Sequence, residues 1–557
     1  MPTDFIRTEY GPCSPSNYPR RAPRVPDWNA FYKNGLPEEV IVLEDSPDTP
    51  NSSLLLNTPA TDIATSQPGP PTKKRRLYDH DSRHATVTPQ NQCSAFPIDQ
   101  TNNIDALSSR KRRRTRQEKQ IDDDDGGGIR QDTKTKRLFE DYKPPRGLPT
   151  VVGTAAIRRV KSGDGSCEEP AADDADGHII LVPGQHITKQ YRVEKLLGQG
   201  TFGKVVQAYD LMHNEHVALK VVRSNQKYRY AAYVEARVLQ TLQNHDPGNK
   251  YGCIHSKDVF DYKGHICIAM DLLSLSVYDF LRRNQFAPFP NSHIQSIAHQ
   301  LLTSVAYLHD LRLIHTDLKP ENILLRDASY QSLPYSGKIP STSSNTSRTG
   351  TQRRVLLNTE ICVIDFGSST FEAEYHSSVV STRHYRAPEI ILGIGWSYPC
   401  DIWSIACILV ELFTGDLLFG THDNREHLAM MEVVCGCKVD YSLIRQANGR
   451  SKTSNAGNAS YFKRLRLNYP VDATTRSSKR GVKAMKKLSD VIPSTNDFLT
   501  GFLELLQKML MFDPKKRITA RQALRHPWFG EISHDDGTEA ARLCAEYTSS
   551  GRKKRSL

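Results

Sequence analysis

The sequence predicts an α+β protein in which a small strand-rich lobe precedes a larger helical one, with a long disordered tail ahead of both. Three observations carry this prediction. Only 38% of the 557 residues are hydrophobic and the mean hydropathy is −0.54, too little apolar side chain for a core along the whole chain. Between about 177 and 529 the apolar residues gather, alternating at first and then recurring at helical spacing. Before that, Pro, Ser, Thr, Asn and Asp dominate, and no period lasts beyond a few positions.

Residues 1–176 read as the disordered tail. Lys73 to Arg76, Arg110 to Arg116 and Asp122 to Asp125 are blocks of like charge, which repel themselves and stay solvated. The basic blocks suit nuclear import or contact with nucleic acid, and Arg552 to Arg555 in the polar C-terminal tail (530–557) is a weaker copy. Without interleaved aromatics to stack on bases, direct nucleic-acid binding is not expected. Lys and Arg number 74 against 62 Asp and Glu, a net charge of +12 that favours acidic partners or a nuclear address. No stretch approaches the ~18 uncharged apolar residues of a membrane span, and the first residues lack the apolar core of a secretion signal. The 11 cysteines show neither CxxC pairs nor His clusters, so reduced, mostly buried thiols are expected instead of a disulfide frame or a zinc site.

From Gly177 the residues HIILVPGQHI, QYRVEKLLGQG, KVVQAYD and NEHVALKVV predict short strands separated by turns. Residues 230–243 carry apolar side chains at helical spacing; 294–309 and 401–417 read as buried helices and 498–511 as an amphipathic one. Two inserts interrupt the second lobe. Residues 326–358, rich in Ser, Thr and Arg, predict a mostly flexible segment, and residues 436–495 are basic and polar with short helical hints.

Chemistry is written into a few motifs. Gly198-Gln199-Gly200-Thr201-Phe202-Gly203 lies between two strands, and glycines let backbone N–H groups approach phosphate oxygens. A strand follows it where a dinucleotide fingerprint would have a helix. Lys220 ends an apolar strand and needs an anionic partner, for which Glu235 on the next helix is the candidate. His315-Thr316-Asp317-Leu318-Lys319-Pro320-Glu321-Asn322 supplies three groups for phosphoryl transfer. Asp317 can accept a hydroxyl proton, Lys319 can neutralise a phosphate and Asn322 can ligate Mg²⁺. Asp365-Phe366-Gly367 then places a carboxylate at a strand end, suited to a hard cation. Glu389 and Arg517 are a candidate ion pair, and Asp401 either caps a helix or supports the loop around Asp317.

In this order, over 177–529, these motifs resemble the eukaryotic protein kinases, and within them the CMGC group. His315-Thr316-Asp317, Ser381 to Glu389 and Glu426-His427-Leu428-Ala429-Met430-Met431-Glu432 are similar to the LAMMER, or CDC-like, dual-specificity kinases, although Val433 stands where that signature ends in Arg. The resemblance implies the two-lobed kinase fold, with an N-lobe over about 177–273 and a C-lobe over about 274–529. It implies ATP and Mg²⁺ as cofactors. Leu197, Gly198, Gly200 and Gly203 would cover the nucleotide, and Lys220, paired with Glu235, would hold its phosphates. Val205, Ala218 and Leu324 would sandwich the adenine, Met270 would guard the hinge of Asp271 to Leu273, and Asn322 and Asp365 would bind the metal. Protein substrates rich in Arg and Ser, such as splicing factors, and some tyrosine autophosphorylation are further implications. Thr316 replaces the Arg that in many kinases reads a phosphate on the activation segment. A neutral hydroxyl cannot make that charge-assisted pair, so activity is expected to depend little on loop phosphorylation. A catalytically dead scaffold, one alternative, would need a broken Lys220, Asp317, Asn322 or Asp365, and all four are present. Another CMGC kinase of DYRK-like type with different substrates is the other, and the lack of a Tyr-x-Tyr pair in the loop counts against the DYRK relatives and the MAP kinases.

Overall fold

The computed structural model describes residues 138–147, 150–160, 173–451 and 461–533. The charge blocks at 73–76, 110–116, 122–125 and 552–555 lie outside the described residues.

Six strands make the first lobe's sheet: β1 (Arg158–Arg159), β2 (Tyr191–Gly200), β3 (Gly203–Asp210), β4 (Glu215–Val222), β5 (Ser256–Tyr262) and β6 (His265–Asp271). Their spatial order is β1-β5-β6-β4-β3-β2, antiparallel except where β1 joins β5. Along β3 and β4 the alternation expected from the sequence holds. Val206, Ala208, Val217, Leu219 and Val221 point into a small core closed by Tyr191 stacked on Phe260 at 5.4 Å. Between β4 and β5, helix α1 (Gln226–His245) starts where the Asn225 side chain accepts from Lys227 N, and it buries Glu235 among its apolar face.

The HIILVPGQHI stretch differs from expectation, forming only isolated bridges (Asp173 with Ile179, His186 with Arg192) instead of a strand. Pro183 and Gly184 cause this. With φ +86° at Gly184 and Gln185 N bonded to Val182 O at 3.0 Å, they turn the chain before a ladder can form.

The second lobe is built on α2 (Val277–Arg283), α3 (Asn291–Asp310), α4 (Pro388–Ile391), α5 (Pro399–Thr414), α6 (Asn424–Cys435), α7 (Tyr441–Ser451), α8 (Arg476–Ala484), α9 (Leu488–Val491), α10 (Asp497–Met509) and α11 (Ala520–Ala523). Helix α5, buried almost throughout, is the hub against which α3 and α10 pack. Short strand pairs shape the cleft floor: β7 (Leu313–Ile314) with β12 (Thr370–Phe371), and β8 (Ile323–Leu325) with β11 (Ile361–Val363). None of the described cysteines is in a disulfide, and five of those seven are buried.

Two expectations need correction. Residues 326–358 are not mostly flexible: β9 (Tyr330–Ile339) and β10 (Arg348–Leu356) form an antiparallel hairpin. Its composition reads as loop, yet Ile339, Val355 and Leu356 are buried, and Arg348 fastens it through Thr414 O at 2.7 Å and Asp416 at 2.9 Å. Nor does the tail run unbroken to 176. Residues 138–147 and 150–160 lie on the folded domain and supply β1, because Phe139 and Tyr142 pack against the apolar core and the main chain finds side-chain acceptors. The insert 436–495 carries α7, a strand pair (Phe462–Lys463 with Arg466–Leu467), α8 and α9, in line with its short helical hints; 452–460 lie outside the described residues.

Candidate active site

Residues far apart in the chain meet between the lobes. Lys220 Nζ, near the end of β4, donates to Glu235 Oε1 at 2.7 Å and Oε2 at 2.9 Å, and to Asp365 Oδ1 at 2.9 Å. Burial alone would depress the Lys220 ammonium, but the two carboxylates outweigh it and hold its pKa above the usual lysine range. Burial also pulls against ionised Asp365, yet Lys220 keeps that carboxyl below its ordinary value, whereas burial pushes Glu235 up. Mutual contact thus favours the charged forms of Lys220 and Asp365, with Asp365 keeping 30% of its side chain exposed.

The loop after β7 holds the second half of the site. Asp317 Oδ2 lies 3.1 Å from Lys319 Nζ, and Asn322 Nδ2 donates to the Asp317 carbonyl at 2.9 Å. That bond occupies the amide nitrogen and leaves the amide oxygen of Asn322 to serve as a ligand. The loop is fixed from beneath by Asp401, 1% exposed, whose two carboxylate oxygens accept from His315 N and Thr316 N at 2.9 Å each. Of the two sequence readings of Asp401, support of the loop is the one realised. His315 joins the halves: its Nε2 lies 3.1 Å from Ile364 O and its ring 5.2 Å from buried Phe366. Thr316, Asp365 and Ser381 all sit at positive φ (69°, 62° and 68°), so three left-handed non-glycine residues shape the site's backbone.

The glycine loop separates into two kinds of glycine. At Gly203 a Cβ would meet Val221 O at 2.2 Å, so closeness to β4 demands glycine. At Gly198 and Gly200 a Cβ would meet nothing within 4 Å, and neither has positive φ. Nothing in the protein itself requires glycine at those two, which fits a cradle for a phosphate-bearing group. Leu197 falls in a register slip between Leu196 and Gly198 and stands 45% exposed. Val205, Ala218, Met270 and Leu324 are half-buried; Ala218 pairs with Met270 across β4 and β6, and Leu324 bridges to Ser276 beyond the hinge. Asp271 pairs through its carboxylate with Lys257 at 2.9 Å, and Leu273 packs against the core. A second grouping of possible metal ligands, Asp210, His213 and Glu215, lies at the β3–β4 turn, where Asp210 already braces Met212 N and Gln190.

Sequence reasoning missed Thr382 as a site residue. Its N and Oγ1 donate to Asp317 Oδ1 at 2.9 and 2.7 Å, and its Oγ1 accepts from Lys319 at 3.1 Å. An alcohol hydroxyl therefore already sits where Asp317 can accept from it. No local pattern marks this residue; only its place in Ser381 to Glu389 hinted at it.

Comparison with known proteins agrees with the geometry. Residues 191–529 match the protein kinase domain family. The chain is 46% identical over 400 residues to the dual specificity protein kinase lkh1 of Schizosaccharomyces pombe, covering 70% of this chain and 55% of that one. It is 46% identical to the serine/threonine-protein kinase AFC2 of Arabidopsis thaliana (64% of this chain, 81% of that one) and 42% identical to the dual specificity protein kinase CLK2 of Homo sapiens (65% and 68%). A crystal structure of a kinase domain superposes with a TM-score of 0.57 at 32% identity, covering 64% of this chain and all of the other.

Proposed function

Since the chain belongs to the protein kinase family, as a LAMMER-type dual-specificity member of the CMGC group, we propose that it phosphorylates Ser, Thr and Tyr hydroxyls of Arg/Ser-rich nuclear proteins, using the site just described. One observation carries the catalytic assignment: Lys220, Glu235, Asp365 and Asp317 share a cleft in which Asp317 accepts from an alcohol at 2.7 Å.

Gly198, Gly200 and Gly203 would cover the phosphates of ATP, and Lys220, aimed by Glu235, would bind them. Asp365 and Asn322 would hold Mg²⁺. When bound, the metal and nucleotide supply the phosphoryl group and neutralise its charge. Asp317 orients the substrate hydroxyl and accepts its proton, and Lys319 neutralises charge beside it. Half-buried Val205, Ala218 and Leu324 give adenine apolar faces, with Met270 behind it and Leu197 at the mouth, and main-chain groups of Asp271 to Leu273 serve the base edge. Positioning and charge do this work without a covalent enzyme intermediate.

Two names among the relatives, "dual specificity protein kinase" for lkh1 and CLK2, support the hydroxyl range proposed here. Labelled-ATP transfer to Arg/Ser-repeat, proline-directed and acidic peptides tests the substrate class. Highest kcat/KM is expected on Arg/Ser repeats; preference for another peptide would remove that class while leaving the kinase. The same assay after phosphatase treatment should lose less than half its rate, because buried Thr316 spends its hydroxyl on Ser368 O at 2.8 Å and offers no cation to a loop phosphate. Nuclear residence is proposed from the basic blocks; a fluorescent full-length fusion with Arg110 to Arg116 neutralised should shift toward the cytoplasm, and unchanged nuclear signal would count against that address.

A further inference from the structure

Residues 138–147 and 150–160 precede the matched kinase domain, yet they touch both lobes. At the C-lobe, Phe139 stacks on His299 at 4.4 Å and meets Phe529 edge-on at 5.9 Å. Burial pushes the His299 imidazole down to about 4, so near neutral pH it is an uncharged aromatic partner. The Tyr142 hydroxyl donates to Asp310 Oδ2 at 2.5 Å, and Arg521 pairs with the other oxygen of Asp310 at 2.5 Å. The Tyr142 ring lies 5.8 Å from that of Tyr251, whose own hydroxyl donates back to Lys143 O at 2.8 Å.

Farther along, the main chain fastens to the C-terminal half of α1. Thr150 N donates to His245 Nε2 at 3.1 Å, Val152 N to Thr241 Oγ1 at 3.1 Å and Ala156 N to Gln240 Oε1 at 3.4 Å. It ends as β1, paired to β5, with Arg158 on Asp258 at 2.6 Å. Helix α1 carries Glu235; it packs on β4, β5 and β6, with Arg229 on Asp261 at 2.8 Å, and outside its own lobe it is held by the C-lobe and the segment after Asp365. Tyr307 donates to Leu242 O at 2.7 Å, Arg237 pairs with Glu374 at 2.7 Å, and the Arg237 guanidinium lies over Phe371 at 5.2 Å.

We propose that residues 138–147 and 150–160 form a clamp, supplied by this chain ahead of its kinase domain, that ties α1 to the C-lobe and so holds Glu235 on Lys220. The clamp does for the helix what a phosphorylated loop cannot do where Thr316 replaces an Arg. Phe139 and Tyr142 are its anchors, and they act as positioning residues through the helix, with no contact to the reacting groups. This inference rests on the kinase reading only for its effect on rate; the restraint on α1 stands apart from it.

The test uses the full chain carrying Phe139→Ala and Tyr142→Ala together. Coupling through such a network is worth roughly a 3- to 30-fold change, expected here as a fall in kcat with peptide KM nearly unchanged. Amide hydrogen exchange across 226–245 should become several-fold faster. Tyr142→Phe, which keeps the ring and deletes the Asp310 bond, should show a smaller change of the same kind, and it carries the test if the double variant does not fold. A lower melting temperature with wild-type kcat and wild-type exchange of α1, both measured well below the transition, would make the segment a mere structural appendage and overturn the clamp. Should the wild-type chain transfer no phosphate at all, the kinase reading fails, and α1 exchange in the variants still decides the clamp by itself.

Discussion

Asp365→Asn is expected to lower phosphate transfer by about a thousandfold or more while leaving the fold intact. The reasoning starts from charge. Asp365 presents an ionised carboxylate to the cleft, kept so by Lys220 at 2.9 Å against the pull of burial. An amide of the same shape keeps one lone-pair oxygen but no net charge, and a hard divalent cation bound by few protein ligands depends on that charge. The several kcal/mol that a metal contributes to transition-state charge correspond to about three powers of ten in rate, at about 1.4 kcal/mol for each. Asn is the informative replacement because Asp365 sits at φ +62°, a region in which Asn is tolerated and Ala is strained. The fold should survive because Lys220 keeps Glu235 at 2.7 Å, so no buried ammonium is left alone. Labelled-ATP transfer and a thermal melt on the same preparation decide the matter. A rate within tenfold of wild type would remove Asp365 from the metal site, and a collapsed melting transition would make the loss of rate uninformative about charge.

How much of this was legible in the sequence depends on whether a residue announces itself locally. Lys220, Asp317, Asn322 and Asp365 did, because each sits in a short stretch whose residue types serve a single chemistry. The strands of the first lobe were readable from alternation, except 178–187, where Pro183-Gly184 imposes a turn that an apolar count overlooks. The 330–356 hairpin was not readable. Its polar residues look like loop, and its stability comes from Arg348 and Asn284 reaching partners far away in sequence. Thr382 and the clamp ahead of the kinase domain were hidden for the same reason. A threonine on Asp317, or a backbone amide on Thr241, is a tertiary contact that no window of neighbouring residues encodes. Asp401 shows the intermediate case: a carboxylate in the first turn of a helix is expected as a local device, and only the positions of His315 N and Thr316 N show which service it performs.

Arg517→Ala should be the most destabilising single substitution in the C-lobe. Arg517 and Glu389 face each other with both side chains fully buried, through two bonds of 2.7 and 2.9 Å. The same guanidinium donates to Pro399 O and Met511 O and lies over the Trp403 ring at 5.1 Å. Truncation leaves a carboxylate without its partner in a medium that cannot solvate it, at a cost of about 3–5 kcal/mol. That is a large share of the ~5–15 kcal/mol that holds a typical domain together, so the variant should unfold at markedly lower urea concentration. The pair also joins the start of α4 to the loop after α10, which makes its loss a loss of connection between segments 128 residues apart in the chain. Replacing both partners by apolar residues of similar size separates the two effects. If the expense of Arg517→Ala comes from the stranded charge, Glu389→Leu combined with Arg517→Met should recover more than half of the lost stability. Arg517→Lys, which keeps the charge but cannot reproduce the fork, should fall between wild type and Arg517→Ala. Urea denaturation of the four proteins gives the comparison. An Arg517→Ala midpoint equivalent to less than about 1 kcal/mol of loss would mean that water reaches Glu389 after truncation and that the fork is not what locks these segments together.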